Sequence, residues 1–299
     1  MKNILIGSVG STKAVLEEMI LSSFPIEMVF SLDEKYSENV SGYYPIHNIA
    51  EQNNISFTKF KKINEQSNID IIKGIKPDYI FVIGLSQLIS DEILNAASKG
   101  VIGFHPTPLP MFRGRAAMVW QMLLGIRETK CTMFFIDNGI DSGDIIAQEP
   151  YIIEDTDYAE DVAKKLLAAL SRMTQNVLNQ IINGNVNRTK QDESKATYLL
   201  ARRPEDGLVD WNETSEKIHR LIRAVSRPYP GAFANYEGRH KIFFWRADLI
   251  RDNKYIGIPG QIANITEKGL DIVCKDGLLR VYEYSNSDEV KLTVGHKFK

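Results

Sequence analysis

The chain predicts an α/β protein: a Rossmann-like, doubly wound parallel sheet in a first domain, residues 1–195, and a smaller β-rich domain, residues 196–299. Three observations carry this reading. Short apolar runs alternate with helical patterns through the first half, starting with Ile4-Leu5-Ile6-Gly7, a buried strand that passes into a glycine turn. The pattern breaks at Asn183-Gly184-Asn185 and again in the polar run Gln191 to Lys195, which reads as a linker. Beyond it the texture changes to short alternating segments separated by turn residues.

A chain of 299 residues has room for a large and a small domain, and 43% hydrophobic with 25% charged residues is the balance of an ordinary globular protein. The net charge of -2 supplies no global basic field for a nucleic acid such as tRNA, although a local patch stays open. Cys131 and Cys274 stand far apart without metal-ligand spacing, so neither a disulfide framework nor a metal site is expected. A reducing cytoplasm fits that usage. No run approaches the roughly 18 apolar residues of a membrane helix, and the N-terminal run reads as a strand rather than a signal.

In chain order, Ile4 to Gly7 is the first strand and Thr12 to Leu21 the helix behind it. The intervening Gly7-x-x-Gly10 invites a phosphate reading but completes neither a dinucleotide fingerprint nor a P-loop, so a structural turn is expected. Glu27 to Ser31 is a second strand, Asp33 to Tyr43 a polar loop, His47 to Asn53 a helix and Ile55 to Phe60 a third strand. Pro77 to Gly84 is a continuous apolar strand, and Ser90 begins a helix over Asp91 to Ala97. Ligands of such sheets gather at the carboxyl ends of the strands. That rule places Gly84-Leu85-Ser86-Gln87 and Gly103 to Pro110 on one rim.

A helix over Ala116 to Leu124 leads to a strand, Lys130 to Ile136, which delivers Asp137 and Asp141. From Asp157 onward Val162, Leu166, Leu170, Met173 and Val177 recur at helical spacing. The second domain shows one helix, Ser215 to Ala224, a structural turn at Arg227 to Gly231, and strands at Ala232–Tyr236, Ile242–Trp245, Gly260–Ile265, Leu270–Cys274 and Leu278–Tyr284.

The candidate chemistry lies between Val101 and Asp144. A histidine, His105, enters a proline-braced loop, followed by a basic turn, Arg113-Gly114-Arg115, and a late aspartate, Asp141. A histidine is the side chain suited to moving a proton near neutrality, and a carboxylate at the end of the adjoining strand can fix its tautomer and favour its charged form. Taken singly, His105 reads as a satisfied buried histidine and Asp141 as a turn carboxylate. Asp137 and Asp144 compete with Asp141 and read as turn-stabilising groups. Arg113 and Arg115 have the forked geometry that meets phosphates or carboxylates, with a solvated basic turn as the plain alternative. Trp120 and Trp211 are able to stack on a base, with a core position as the plain alternative.

This stretch resembles the formyltransferases that use 10-formyltetrahydrofolate, whose signature runs Asn-x-His, Leu-Pro, Arg-Gly and then Asp-x-Gly. His105, Pro110, Arg113-Gly114 and Asp141 fill those places. Gly103 departs from the pattern, since the family usually carries Asn there. The resemblance implies catalysis by His105 and Asp141, a cis Leu109–Pro110 bond, and 10-formyltetrahydrofolate as donor without a metal. It implies a donor site at Ile83, Gly84, Leu85, Gln87, Pro110 and Arg113, the first four bordering the pterin mostly through backbone groups.

In the second domain, Arg202-Arg203-Pro204-Glu205-Asp206, Asp210-Trp211 and Arg227-Pro228-Tyr229-Pro230-Gly231 resemble the sugar-nucleotide formyltransferases. Methionyl-tRNA formyltransferases carry an Asn-Pro-Trp-Pro type of turn instead. The implied acceptor is a nucleotide-linked amino sugar, a small molecule rather than a nucleic acid or membrane, and the implied product a formamido sugar for a surface polysaccharide such as an O-antigen. A homodimer is expected by resemblance. The rivals are a methionyl-tRNA formyltransferase and, because of Gly103, a binding homologue that has lost catalysis.

Overall fold

Strand β1, Asn3–Ile6, is buried along its whole length and lies inside the main sheet, paired on both sides. The computed structural model describes residues 1–250 and 254–299. The chain divides into two units. The first comprises Met1–Ala117, Glu128–Ile152 and Lys164–Leu199, and the second Met118–Arg127, Ile153–Ala163 and Leu200–Lys299.

Helix α1, Gly10–Leu21, follows β1, and β2, Met28–Leu32, α2, Ile46–Gln52, and β3, Phe57–Phe60, follow in turn. Next come α3, Gln66–Ile75, β4, Tyr79–Val82, α4, Asp91–Leu94, and β5, Gly100–His105. After β5 the chain forms β6, Arg113–Gly114, α5, Ala117–Leu123, β7, Glu128–Phe135, β8, Ile145–Ile152, α6, Ala159–Ile182, and β9, Tyr198–Leu199. Among the described residues seven strands form the main sheet in the order β3-β2-β1-β4-β5-β7-β8. The five from β3 to β5 are parallel, so β1 is the switch point from which the chain winds both ways.

The sheet departs from the expected all-parallel form at β7, which runs antiparallel to both β5 and β8. β8 returns from β7 through the loop of residues 136–144, without the crossover that a parallel neighbour would need. β8 and α3 are absent from the sequence reading. β8 is the edge strand of the main sheet and carries Pro150, a residue that edge strands tolerate because it cannot donate to a ladder. In α3 Ile69 and Ile72 are buried one turn apart, too short an apolar face to stand out as a period.

Close packing at the switch point explains the glycine turn. A Cβ at Gly7 would stand 2.0 Å from the Ile83 carbonyl oxygen, and one at Gly84, φ +66°, 2.2 Å from a Val9 methyl. Thr12 accepts the Val9 N–H at 3.2 Å and donates to the Ile83 carbonyl at 2.6 Å, fastening α1 to the end of β4. This turn is structural, as expected.

In the second unit α7, Ser215–Val225, is capped by Thr214, whose hydroxyl accepts the Lys217 N–H at 3.3 Å. Strands β10, Ala232–Tyr236, β11, His240–Ile250, β12, Ile262–Thr266, β13, Gly269–Val273, and β14, Leu278–Asn286, form an antiparallel sheet in the order β10-β11-β14-β13-β12. Trp211 is buried against Phe244 and Phe298, so it is a core residue. The turn at Arg227 to Gly231 packs on Trp245, with the guanidinium 4.4 Å above that ring. No described helix is long and apolar enough to cross a membrane.

Because the atom facing Gly7 belongs to backbone and cannot swing aside, Gly7→Ala is expected to destabilise the first unit by about 3 kcal/mol. Thermal unfolding is the check, with an expected fall in melting temperature of roughly 5–10 °C.

Candidate active site

His105 is the last residue of β5, and the loop behind it is braced from the β7–β8 hairpin. Thr132, opposite His105 in the register, donates to the Thr107 carbonyl at 2.7 Å and accepts the Leu109 N–H at 3.3 Å. Gln148 donates to the Leu109 carbonyl at 2.8 Å, and the Tyr151 hydroxyl to the Pro106 carbonyl at 2.9 Å. The antiparallel pair thus does a job the parallel half of the sheet does not: it supplies side chains that fix a loop with few N–H groups of its own. Leu109–Pro110 is cis, as the resemblance implies.

The imidazole is buried. Its Nε2 lies 2.7 Å from the Phe112 carbonyl oxygen. A carbonyl can only accept, so Nε2 carries the proton and the neutral ring keeps its lone pair on Nδ1. That nitrogen stands 3.6 Å from Asp141 Oδ2. The expected pair is therefore together, but the backbone of Phe112, not the carboxylate, fixes the tautomer. Asp141 Oδ2 also accepts the Gly114 N–H at 2.8 Å, which ties the carboxylate to the turn below the histidine. Asp137 accepts from Gly139 N and Ser142 Oγ, the turn-stabilising part expected of it.

Backbone strain collects around this pair. Phe112, Ala116 and Asp141 have φ of +63°, +54° and +51°, conformations that cost an L-residue roughly 1–2 kcal/mol and that Asp tolerates better than Phe. They persist because the chain is held from a second side. Thr197 accepts the Phe112 N–H through its hydroxyl at 2.8 Å and the Arg113 N–H through its carbonyl at 2.9 Å. Leu199 accepts the Arg115 N–H at 3.1 Å, completing the β6–β9 contact.

Arg113, expected at the donor site, is turned inward on the protein's own acceptors. Only 1% of the residue is exposed, and its guanidinium is engaged by Glu193 at 2.7 and 2.9 Å, Gln191 at 2.7 and 3.2 Å and the Tyr198 hydroxyl at 3.1 Å. A desolvated cation needs such a set of acceptors, and with them filled it has no face left for a ligand. The Arg113 hydrogen bonds hold the Glu193 carboxyl below its ordinary 4.5. The run from Gln191 to Lys195, expected as a linker, is instead a strap whose first residue is buried. Gln191 was missed because a lone Gln in a polar run carries no local signal.

The remaining predicted residues line the rim by backbone or by packing. Ile83 is buried and presents its carbonyl to Thr12; Leu85 packs on the core of the sheet. Gln87 accepts the Ile63 N–H and donates to the Lys61 carbonyl, both at 2.9 Å, and borders a cleft of about 630 Å³ with Lys61, Lys62 and Asn64. The Pro110 carbonyl accepts the Thr197 N–H at 3.4 Å. At Gly103 a Cβ would lie 2.8 Å from Ile136 Cγ1 and 3.1 Å from Phe134 Cε1, so those side chains take up the space a larger residue would need. Both cysteines are buried, which pushes their thiols up to about 12 and removes them as nucleophiles near neutrality.

The chain belongs to the formyl transferase family. Residues 5–178 match the family's "Formyl transferase" model and residues 202–296 its "Formyl transferase, C-terminal domain" model. The chain is similar to HypX from Aquifex aeolicus in complex with tetrahydrofolic acid, at 17% identity and TM-score 0.69 over 96% of this chain; it spans 44% of that protein's length. It is similar to an N-formyltransferase from Helicobacter canadensis in complex with folinic acid and dTDP-3-aminofucose, at 18% identity, TM-score 0.69, 95% of this chain and 100% of the other. It is also similar to methionyl-tRNA formyltransferase from Clostridium thermocellum, at 22% identity, TM-score 0.62, 85% of this chain and 95% of the other. At such identities the fold is what is shared.

Two tests follow from this geometry. Gly103→Asn is expected to cost about 1–3 kcal/mol, since Ile136 must yield to it, and Ile136→Ala in the same chain is expected to recover most of the loss in thermal stability. The depressed Glu193 carboxyl contributes stability that is complete above pH 4.5 and is lost as pH falls through its lower folded-state value. The gap in urea midpoint between the wild type and Glu193→Gln is therefore expected to close between neutral pH and pH 3.

Proposed function

We propose that the chain moves a formyl group from 10-formyltetrahydrofolate to the amine of a nucleotide-linked amino sugar. The observation that carries the reading is the His105–Asp141 pair, with a free lone pair on Nδ1 facing a carboxylate at 3.6 Å. The amine attacks the formyl carbon when neutral, forming the new C–N bond. Its surplus proton passes to Nδ1, where Asp141 stabilises the imidazolium, and then to the donor nitrogen as the old C–N bond breaks.

The rim fits an extended donor. The cleft at Gln87 joins apolar Leu32, Val40 and Leu88 to Lys61 and Lys62, groups suited to a flat ring system's linker and its glutamate carboxylates. It lies on the β2–β3 side, and the strand order leaves three steps of about 4.8 Å between β2 and β5. One extended molecule spans that. With Arg113 closed off, the two lysines are the cations offered to its tail.

The acceptor reading draws support from the Arg227 to Gly231 segment and from the fold shared with the Helicobacter canadensis protein bound to folinic acid and dTDP-3-aminofucose. We extend the proposal to a cytoplasmic enzyme acting on a soluble sugar nucleotide, with a surface polysaccharide as the destination of the product and a homodimer as its state. The 22% match to a methionyl-tRNA formyltransferase favours a second reading; the net charge of -2 weighs against it.

The test mixes the protein with 10-formyltetrahydrofolate and a panel of nucleotide-linked amino sugars and follows a formyl gain by mass spectrometry. His105→Ala and Asp141→Asn are each expected to lose about 10²–10⁴-fold in kcat. Formylation of methionyl-tRNA alone would move the acceptor to the second reading, and donor binding with no product would mark a silent homologue.

A further inference from the structure

We propose that Gln191 is a positioning residue for the His105–Asp141 pair, setting where the Asp141 carboxylate stands; this rests on the reading of that pair as catalytic. Its amide is 5% exposed and fully engaged. Nε2 donates to the Asp141 carbonyl at 2.8 Å and the Gly143 carbonyl at 2.7 Å. Oε1 accepts from Arg113 Nε at 3.2 Å and Nη2 at 2.7 Å. Two donors meet two carbonyls and one oxygen meets a guanidinium, so every hydrogen-bonding position of the amide is used and its orientation is determined, because a flipped amide would set donors against donors.

What the amide holds is the far side of a tight loop whose near side is fastened by Asp137. Asp141 has a left-handed backbone, and Gly143 passes so close to the Phe135 carbonyl that a Cβ there would lie 1.8 Å from it. The carboxylate of Asp141 has to meet two groups from elsewhere, the Gly114 N–H and His105 Nδ1. Gly114 follows Arg113 directly, so Gln191 grips both sides of that meeting point: the loop that carries the carboxylate, and the residue next to the N–H that receives it. Gln191 does not touch His105, and it acts through Asp141.

The experiment uses the full chain with Gln191→Met, which keeps the volume and removes the hydrogen bonds, and Gln191→Glu, which keeps the link to Arg113 and presents acceptor oxygens to the two carbonyls. Melting temperatures establish that each variant folds, and the second serves if the first does not. The primary readout needs no substrate: the Nδ1 resonance of His105 in ¹⁵N-histidine-labelled protein, assigned by its disappearance in His105→Asn. Gln191→Met is expected to move this resonance in the same direction as Asp141→Asn does. An unmoved resonance in a folded variant overturns the proposal, and so does an Asp141→Asn variant that leaves the resonance unchanged, since Gln191 is then acting through nothing.

Where formyl transfer is measured, Gln191→Met is expected to lower kcat ten- to a hundredfold, on the order expected for a small misplacement of a catalytic group, with the KM of the donor within about twofold. In an Asp141→Asn background it should lower kcat by less than about twofold more. A full additional loss in that background would place the effect of Gln191 outside the carboxylate and sink the proposal. Absence of formyl transfer in the wild type would count against the proposed function alone, because the resonance test stands without it.

Discussion

A guanidinium taken out of water must be answered by acceptors, and at Arg113 they arrive from about eighty positions further along the chain. Glu193, Gln191 and Tyr198 answer it, and in doing so they draw the segment before β9 across the loop that follows β5. Much of the site depends on that arrangement. The strained turn at Phe112 is held by Thr197 on the same strap, and Phe112 in turn presents the carbonyl that sets the histidine tautomer. The charge of Arg113 is spent on architecture. Its neighbour, Gly114, receives the carboxylate.

The second constraint is steric. The switch point of the sheet is so closely packed that Gly7 and Gly84 have no room for a side chain, and Thr12 bridges the resulting gap between helix and strand. Further along the sheet Ile136 and Phe134 fill the space over Gly103. A polar side chain at Gly103 and the present Ile136 therefore cannot both stand as they are.

What the sequence made legible was chemistry carried by neighbours and patterns carried by period. His105, Pro110 and Asp141 were legible through the resemblance of one stretch to a family signature, since singly they read as a buried histidine, a loop proline and a turn carboxylate, and the strands from β10 to β14 because alternation over five residues needs no partner to be seen. The edge strand β8 and helix α3 were not legible, since half-buried elements have weak periods. Nor was the true part of Arg113, which in sequence looks like any basic turn and is defined by residues that fold brings to it. Gln191 is the plainest case: its four hydrogen bonds span 48 to 78 positions.

The position of the strap has a consequence for how the protein is made. At ordinary rates of synthesis, roughly 5–20 residues per second, several seconds pass between the emergence of Arg113 and that of Glu193. Through that interval β1 to β5 can pair and the His105 loop can be braced by β7 and β8, yet the guanidinium lacks Glu193 as counter-charge and the Asp141 loop lacks the Gln191 amide. The His105–Asp141 pair is thus among the last features of its own unit to be set, and the nascent sheet exists for a time as a scaffold around an incomplete site.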